Sequence, residues 1–403
     1  MADKIQWASN TMPKSDDKHL GIMSLDHVKK ARAFHQSFPQ YTVTPLARLD
    51  GQAARLGLSN LCVKDESYRF GLNAFKVLGG SFAMANYIAD ETGKDVADCT
   101  FDYLTSDQLA EDFGQATFFT ATDGNHGRGV AWAANKLGQK AVVHMPKGST
   151  KPRFDNIAAE GATVTIEEVN YDECVRMAAA EADACERGVI VQDTAWEGYE
   201  KIPSWIMEGY GTMASEAAEQ LREMAINRPT HVFVQAGVGS LAGAWWATLP
   251  TCIPITRPPS SWLSARLPPA CTRALPPATA IRASWTATCL HHGRSVLRRA
   301  QHSGWDILRN HTTAFVSCPD WVTARGMRTL GAPEKGDPRV ISGESGAVTT
   351  GLVETLMLDP EYAELKELIG LDKTSSVLCF STEGDTDPDQ YRRIVWEGEY
   401  PTC

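Results

Sequence analysis

The 403-residue sequence predicts an α/β protein in which helices wrap a mostly parallel sheet. Short apolar or β-branched runs alternate along the chain with longer segments of helical period, which is typical of that class. Gly-rich or polar turns follow several of the short runs. Open α/β sheets bind ligands at such turns, so the pattern places a candidate site there.

The short apolar runs predict the strands, and the segments of helical period predict the helices. The predicted strands are Leu61–Val63, Ala141–Met145, Thr163–Ile166, Val189–Gln192, His231–Gln235 and Val377–Ser381. The predicted helices cover residues 77–89, 127–137, 151–160, 171–187 and 204–226. The chain is long enough to form two domains.

Composition and charge exclude several classes of protein. With 39 Lys and Arg and a net charge of −10, the chain lacks the dominant basic face of a duplex-binding protein, so we expect no nucleic-acid partner. It contains no signal-peptide core and no apolar run of about 18 residues, so we expect no membrane partner and a cytoplasmic location. The ten cysteines are scattered, which predicts ordinary thiols and no metal site.

Residues 249–303 differ in composition from the rest of the chain. Leu249 to Ala300 contain 8 of the 21 prolines and 7 arginines, but no Asp, Glu or Lys. Prolines are paired at 258/259, 268/269 and 276/277, where they would interrupt a central strand or helix. We therefore expect irregular backbone in this segment. It is either a Pro-rich insertion or a stretch translated in a shifted reading frame.

Lys76 is a candidate reactive lysine in the segment Phe70–Gly80. On spacing alone, an ordinary surface lysine at a helix start explains the segment better. Imine chemistry requires a partly desolvated amine, and Phe70, Phe75 and Val77 would provide apolar surroundings. The assignment therefore depends on the motifs that follow.

A Gly-rich turn, Thr120–Gly129, leads into a predicted helix. An ordinary helix cap would explain such a turn. Its glycines also allow a ligand to approach the backbone closely, and the N–H groups at a helix start suit a carboxylate. The turn is therefore a candidate site for a substrate α-carboxylate.

A second glycine loop, Gln235–Gly243, directly follows the predicted strand His231–Gln235. Close packing of a strand against a helix explains many such loops. Between a strand and a helix, the loop can also bind a phosphate through backbone amides and the Ser240 hydroxyl. No Lys-Ser/Thr pair follows, which disfavours a nucleoside-triphosphate loop.

In this order, the motifs resemble the fold-type II pyridoxal-phosphate enzymes, and more closely still the diaminopropionate ammonia-lyases among them. The segments that carry the resemblance are Lys64–Ser67, Arg69–Lys76, Thr122–Ala134, Met145–Gly148, Val191–Tyr199, Gln235–Gly239, Ile341–Ala347 and Ser381–Thr386. The resemblance covers residues 40–248 and 304–403, and both flanks of the anomalous segment are in register. We therefore favour a shifted reading frame over a genuine insertion.

The resemblance implies a fold of two open, twisted, mostly parallel sheets wrapped by helices, with the cofactor at the domain interface. On this basis we predict a large cofactor-binding domain of residues 1–84 and 207–403, which includes the anomalous 249–303. Residues 85–206 would form a small domain. A homodimer is the assembly expected.

The same resemblance implies the cofactor-binding residues. Lys76 would carry pyridoxal 5′-phosphate as a Schiff base, and Asn125 would bind its phenolic oxygen. Thr382 would face the pyridine nitrogen, where a hydroxyl makes a milder electron sink than a carboxylate and favours elimination over transamination. The cofactor phosphate would lie on the loop formed by Gly237, Val238, Gly239, Ser240 and Leu241.

Asp123 and Asp193 indicate the substrate. Related hydroxy-amino-acid dehydratases usually have a small neutral residue where Asp123 stands, and a carboxylate there suits a substrate with a second ammonium. Asp193 would supply another acid, although it could instead cap the turn that follows it. The predicted catalytic residues are Lys76, Asp123 and Asp193, and the predicted substrate-binding residues are Thr122, Asp123, Gly124, His126 and Asp193.

These assignments predict α,β-elimination of the small amino acid 2,3-diaminopropionate to pyruvate and two ammonia. Two alternatives remain open at this point. One is a serine or threonine dehydratase or a β-replacing synthase of the same fold, and the other is an inactive product because of residues 249–303.

Overall fold

Two mostly parallel sheets organise the chain in the computed structural model, which describes residues 4–14, 18–226, 228–252, 261–265, 284–289, 294–299 and 302–401. In spatial order, the large sheet contains β1 (Gln6–Ser9), β12 (Ala314–Ser317), β9 (Ser261–Ala265), β8 (His231–Gln235), β13 (Ser376–Ser381), β3 (Asn60–Asp65) and β2 (Leu46–Arg48). Its two edge strands are antiparallel to their neighbours, and the inner strands are parallel.

The small sheet is parallel throughout. Its spatial order is β6 (Thr163–Ile166), β5 (Lys140–Met145), β4 (Thr117–Ala121) and β7 (Gly188–Ile190). A separate antiparallel pair joins β10 (Ser284–Cys289) to β11 (Arg294–Arg299). The predicted α/β class with mostly parallel sheets is thus confirmed. The predicted domain boundaries remain predictions.

Helices lie between the strands along the chain. The α-helices are α1 (Leu25–Gln36), α2 (Asp50–Leu56), α3 (Val77–Thr92), α4 (Phe101–Leu104), α5 (Asp107–Asp112), α6 (Asn125–Lys136), α7 (Lys151–Ala158), α8 (Tyr171–Ala184), α9 (Lys201–Glu223), α10 (Ser240–Cys252), α11 (His302–His311), α12 (Asp320–Gly331), α13 (Glu344–Leu358), α14 (Ala363–Ile369) and α15 (Pro388–Val395). Short 3₁₀ helices cover Lys18–Met23, Glu66–Gly71, Val96–Asp98 and Pro360–Tyr362. Among the described helices, none is long and apolar enough to cross a membrane.

The large sheet is buried on both faces. Along β3, Leu61 and Val63 pack into one hydrophobic core and Cys62 packs into the other. Along β13, Leu378 and Cys379 likewise belong to opposite cores. Burial on both faces explains why these strands read as continuous apolar runs rather than as alternating patterns.

Much of the anomalous segment 249–303 lies outside the described residues, and the reading-frame hypothesis stays a prediction. Where the backbone is described, the expectation of irregularity is wrong at β9, which pairs in parallel with β8 and β12, and at β10 and β11, which pair with each other. The physical reason is local: these three strands contain no proline, and β9 lies between the proline pairs at 258/259 and 268/269.

A buried network of charges joins the end of β3 to α9. Glu216 accepts from Lys64 Nζ at 2.8 Å and from Arg69 Nη2 at 2.7 Å, and Arg69 Nε also donates to Glu66 at 2.9 Å. All four side chains are at most 1% exposed. Burial would raise the pKa of Glu216, but Arg69 and Lys64 outweigh that effect and hold the pKa at about 2.

Glu216→Gln should lower the free energy of unfolding by about 3–5 kcal/mol, because it leaves buried cations without their partner. The folded pKa of Glu216 lies below its ordinary 4.5, so its stabilising contribution is complete above about pH 4.5 and is lost as the pH falls toward 2. Urea unfolding at several pH values measures both effects. The matched control is Glu219→Gln on the same helix, whose 44%-exposed carboxylate pairs with Arg32 and should contribute less than about 1 kcal/mol. An equal loss in both variants would contradict the network's importance.

Candidate active site

Lys76 lies directly before α3, in a segment that is hydrogen-bonded to the chain after β13. Phe75 N donates to Thr382 O at 3.1 Å, and Gly384 N donates to Asn73 O at 3.0 Å. These two bonds fix the lysine backbone relative to Thr382. The two residues predicted to bind opposite parts of one cofactor are therefore held close together.

Glycines allow two helices to approach the lysine segment. A Cβ at Gly129 of α6 would lie 2.7 Å from Val77 N and 3.1 Å from the Lys76 carbonyl carbon. A Cβ at Gly209 of α9 would lie 2.4 Å from Leu78 O. Larger residues would push α6 and α9 away from the start of α3.

The Lys76 ammonium forms an ion pair with the carboxylate of Asp193. Its Nζ also lies 5.6 Å from the centre of the Phe75 ring. Burial lowers the pKa of Lys76, but Asp193 and Tyr210 outweigh burial and raise the pKa above its ordinary value. Of the predicted apolar neighbours, Phe75 thus contacts the amine, whereas Phe70 packs against Trp132.

The second glycine loop connects β8 to α10, as predicted. Gly239 has a left-handed backbone (φ +99°), and Ser240 is the first residue of the helix. The Ser240 hydroxyl donates to the backbone carbonyl of Asp193 at 2.7 Å, so the loop is fixed to the lysine's partner. Gly237 is exposed, whereas Val238, Gly239 and Ser240 are buried and Leu241 is half-buried. The N–H groups of the first turn of α10 have no intrahelical acceptor, which suits an anion.

The first glycine turn joins β4 to α6. Thr122 Oγ1 accepts from Gly124 N at 3.0 Å, and Asn125 Nδ2 donates to the Glu383 carboxylate. His126 Nε2 lies 2.9 Å from Val191 O, while its Nδ1 is buried without a hydrogen-bond partner among the described residues. Asp123 is exposed at the turn.

Burial lowers the pKa of His126, so the imidazole is neutral near pH 7. A carbonyl oxygen only accepts hydrogen bonds, so Nε2 carries the hydrogen and donates to Val191 O. Nδ1 of the neutral ring is then an acceptor. The charges of Asp193, Lys76 and Asp123 also act on the pKa of His126, so the imidazole lies within electrostatic range of the three predicted catalytic residues.

Sequence analysis missed two charged residues of this site. Glu383 accepts from Ser345 N at 3.0 Å; burial raises its pKa, and Arg153 partly opposes that rise. Arg153 Nη1 also lies 3.4 Å from Asp123 O. Glu383 stands in the Ser381–Thr386 motif and could have been chosen, whereas nothing in the local sequence distinguishes Arg153.

The arrangement fits pyridoxal phosphate. A lysine amine, a helix N-terminus for a phosphate and the buried hydroxyl of Thr382 lie around one site, and Thr382 Oγ1 is 2.9 Å from Gln235 Nε2. The buried acceptor His126 Nδ1 still requires a donor, which a bound molecule can supply. In the part of the chain that the structure describes, no group of three or more metal-ligating side chains is suitably placed.

Comparisons with known proteins agree with this site. The family model described as pyridoxal-phosphate dependent enzyme matches residues 38–364. The chain is 44% identical over 380 residues to the diaminopropionate ammonia-lyase of Escherichia coli strain K12, covering 94% of each protein. The chain belongs to the diaminopropionate ammonia-lyase family of pyridoxal-phosphate-dependent enzymes. The predicted cofactor and the predicted resemblance are therefore confirmed.

Solved structures support the same assignment. The E. coli enzyme in complex with D-serine superposes with a TM-score of 0.87 at 42% identity, covering 99% of each chain. The same enzyme in complex with an aminoacrylate-PLP azomethine reaction intermediate gives a TM-score of 0.84 over 98% of each chain. The predicted fold-type II architecture is confirmed by this agreement. The roles of individual site residues remain predictions.

Gly239→Ala should weaken binding of the cofactor about tenfold, or ~1.4 kcal/mol, because an L side chain disfavours the left-handed backbone that presents the loop amides. The added Cβ would meet only Leu308 Cδ1, at 3.6 Å, so the protein should still fold. Titration of the cofactor-free protein with pyridoxal phosphate measures the change. Gly57→Ala is the control: its φ is +68° with nothing within 4 Å of the added Cβ, and cofactor affinity should be unchanged. Equal affinities in both variants would remove the loop from phosphate binding.

Proposed function

We propose that the chain catalyses α,β-elimination of 2,3-diaminopropionate to pyruvate and two ammonia. The observation that carries the proposal is the carboxylate at the reactive lysine: Asp193 pairs with Lys76, and a second carboxylate, Asp123, lies exposed in the glycine turn before α6. Carboxylates there suit a substrate that carries a second ammonium. The 44% identity to the E. coli diaminopropionate ammonia-lyase supports this substrate over serine or threonine.

The substrate is held at both ends. Its α-carboxylate binds the N-terminal turn of α6, where the N–H groups have no intrahelical acceptor. Its β-ammonium donates to Asp193 and to His126 Nδ1, the buried acceptor that has no partner among the described residues. Thr122 and Gly124 shape the turn through their mutual hydrogen bond.

Two proton transfers complete the elimination. Pyridoxal phosphate supplies the electron sink that stabilises the electron pair left at Cα. Lys76 removes the Cα proton of the L isomer, and Asp123 removes that of the D isomer from the opposite face. The Cβ–N bond breaks while the β-nitrogen is protonated, and the nitrogen takes the electron pair of that bond and leaves as ammonia. Asp193 keeps this nitrogen in its ammonium form, or Lys76 supplies the proton. The released aminoacrylate takes up water and loses its remaining nitrogen as the second ammonia.

A homodimer and a cytoplasmic location belong to the same proposal. Two large apolar side chains are exposed, Val43 at 45% and Tyr68 at 59%, on segments that the buried Thr44–Glu66 hydrogen bond joins, and a subunit interface would cover them. Cys62, Cys99, Cys174, Cys185 and Cys379 carry unbridged thiols, in keeping with a reducing compartment.

The ratio of ammonia to pyruvate tests the reaction directly. The purified holoenzyme should release two ammonia for each pyruvate from 2,3-diaminopropionate, and kcat/KM should be higher than for L-serine, D-serine or L-threonine. A serine or threonine dehydratase would instead prefer the hydroxy amino acids and release one ammonia per oxo acid. That result would overturn the substrate assignment while leaving the cofactor assignment intact.

Asp123→Asn should lower kcat/KM for D-2,3-diaminopropionate by about 10²- to 10⁴-fold, because the size is kept and the general base is lost. The loss for the L isomer should be smaller. Asp155→Asn is the control: this exposed aspartate pairs with Lys151 on α7, and both isomers should be unaffected. Equal losses on both isomers would make Asp123 a binding group only, and full D activity would remove it from the mechanism.

A further inference from the structure

Gln235, the last residue of β8, lies between Thr382 and two backbone carbonyls. Its Nε2 is 2.9 Å from Thr382 Oγ1, 2.7 Å from Ser345 O and 3.0 Å from Phe380 O. Gln235 is 7% exposed and Thr382 is 3% exposed. Bulk water therefore does not compete strongly for these groups.

The two carbonyls determine which way the amide of Gln235 faces. A carbonyl oxygen only accepts hydrogen bonds, so the NH₂ group and not Oε1 must point toward Ser345 O and Phe380 O. The same NH₂ group is then the neighbour of Thr382 Oγ1.

This orientation limits what the Thr382 hydroxyl can do. An amide nitrogen is a donor and not an acceptor, so the hydroxyl hydrogen cannot point toward Gln235. The NH₂ group has two hydrogens for three acceptors, so one hydrogen is shared; Thr382 Oγ1 faces the amide with a lone pair, and its own hydrogen is directed elsewhere. In the described structure, the Thr382 hydroxyl has no other hydrogen-bond partner.

We propose that Gln235 is a positioning residue, which holds the Thr382 hydroxyl as a hydrogen-bond donor to the cofactor's pyridine nitrogen. This inference rests on the proposed function, in which Thr382 faces that nitrogen. The nitrogen has one lone pair, so it either accepts a hydrogen bond or carries its own proton. A hydroxyl fixed as a donor keeps the nitrogen unprotonated, whereas a hydroxyl free to rotate could accept from a protonated ring.

The consequence concerns the choice of reaction. An unprotonated ring draws electrons less strongly than a protonated one, so the electron pair at Cα is expelled toward Cβ instead of being stored on the ring. Gln235 thus favours elimination over transamination without contacting the cofactor or the substrate.

Gln235→Glu is the sharpest variant because it keeps the shape of the side chain. The oxygen that replaces Nε2 must carry the single proton of the buried carboxyl and donate it to one of the two carbonyls, and a lone pair of the same oxygen can then accept from Thr382. The hydroxyl then turns away from the ring. The proton affinity of the pyridine nitrogen should rise at least about tenfold, which is one pKa unit or ~1.4 kcal/mol.

The readout is the ¹⁵N chemical shift of ring-labelled pyridoxal phosphate in the holoenzyme, followed against pH. Transaminated cofactor per elimination should also rise, by about tenfold. Gln235→Met is the second variant if Gln235→Glu does not fold, since it removes the amide donor that directs the Thr382 hydroxyl. Thr382→Ser keeps the hydroxyl and should titrate like the unaltered protein.

A double-mutant cycle separates positioning from general damage to the fold. In a Thr382→Val background, Gln235→Glu should no longer change the ¹⁵N titration. An unchanged titration in Gln235→Glu and Gln235→Met would overturn the inference, as would an equal shift with and without the hydroxyl. Failure of the proposed function looks different: the unaltered protein would then bind no cofactor or perform no elimination.

Discussion

The site depends on the backbone hydrogen bonds that join residues 73–75 to residues 382–384. Phe75 and Asn73 are separated from Thr382 and Gly384 by about three hundred residues in sequence, yet each segment bonds directly to the other. The reactive lysine and the ring-nitrogen partner therefore cannot move apart without breaking main-chain bonds that side-chain substitutions leave in place. Such rigid positioning is what a catalytic group requires, because small misplacements cost large factors in rate.

Helix packing then adds the groups that act on the substrate. Gly129 lets α6 lie against the lysine backbone, which brings the turn containing Asp123 and the neutral His126 to the amine. Ser240 ties the phosphate loop to Asp193, which in turn pairs with Lys76. Close helix contact, and not loop composition, thus explains why residues from both sheets converge.

Sequence patterns predicted much of this architecture, and the elements that they did not predict have physical explanations. Thr163–Ile166 and His231–Gln235 have the predicted bounds because turns limit each run clearly. β4 at Thr117–Ala121 was not among the predicted strands, although it lies inside the small sheet. Its last two residues were assigned to the Gly-rich turn Thr120–Gly129, which left only three residues of the run. Glycine turns indicated the ligand site, but the contribution of Arg153 depends on a tertiary contact with Asp123 that local sequence does not encode.

The lysine that carries the cofactor is the assignment on which the roles of the other site residues depend. Reduction of the holoenzyme with borohydride fixes the cofactor to the amine that carries it, and peptide mass spectrometry then identifies the lysine. We expect one adduct, on Lys76, and its loss in Lys76→Ala without loss of folded protein. An adduct on Lys64 or any other lysine would contradict the assignment of the reactive amine, and with it the roles assigned to Asp193 and Thr382.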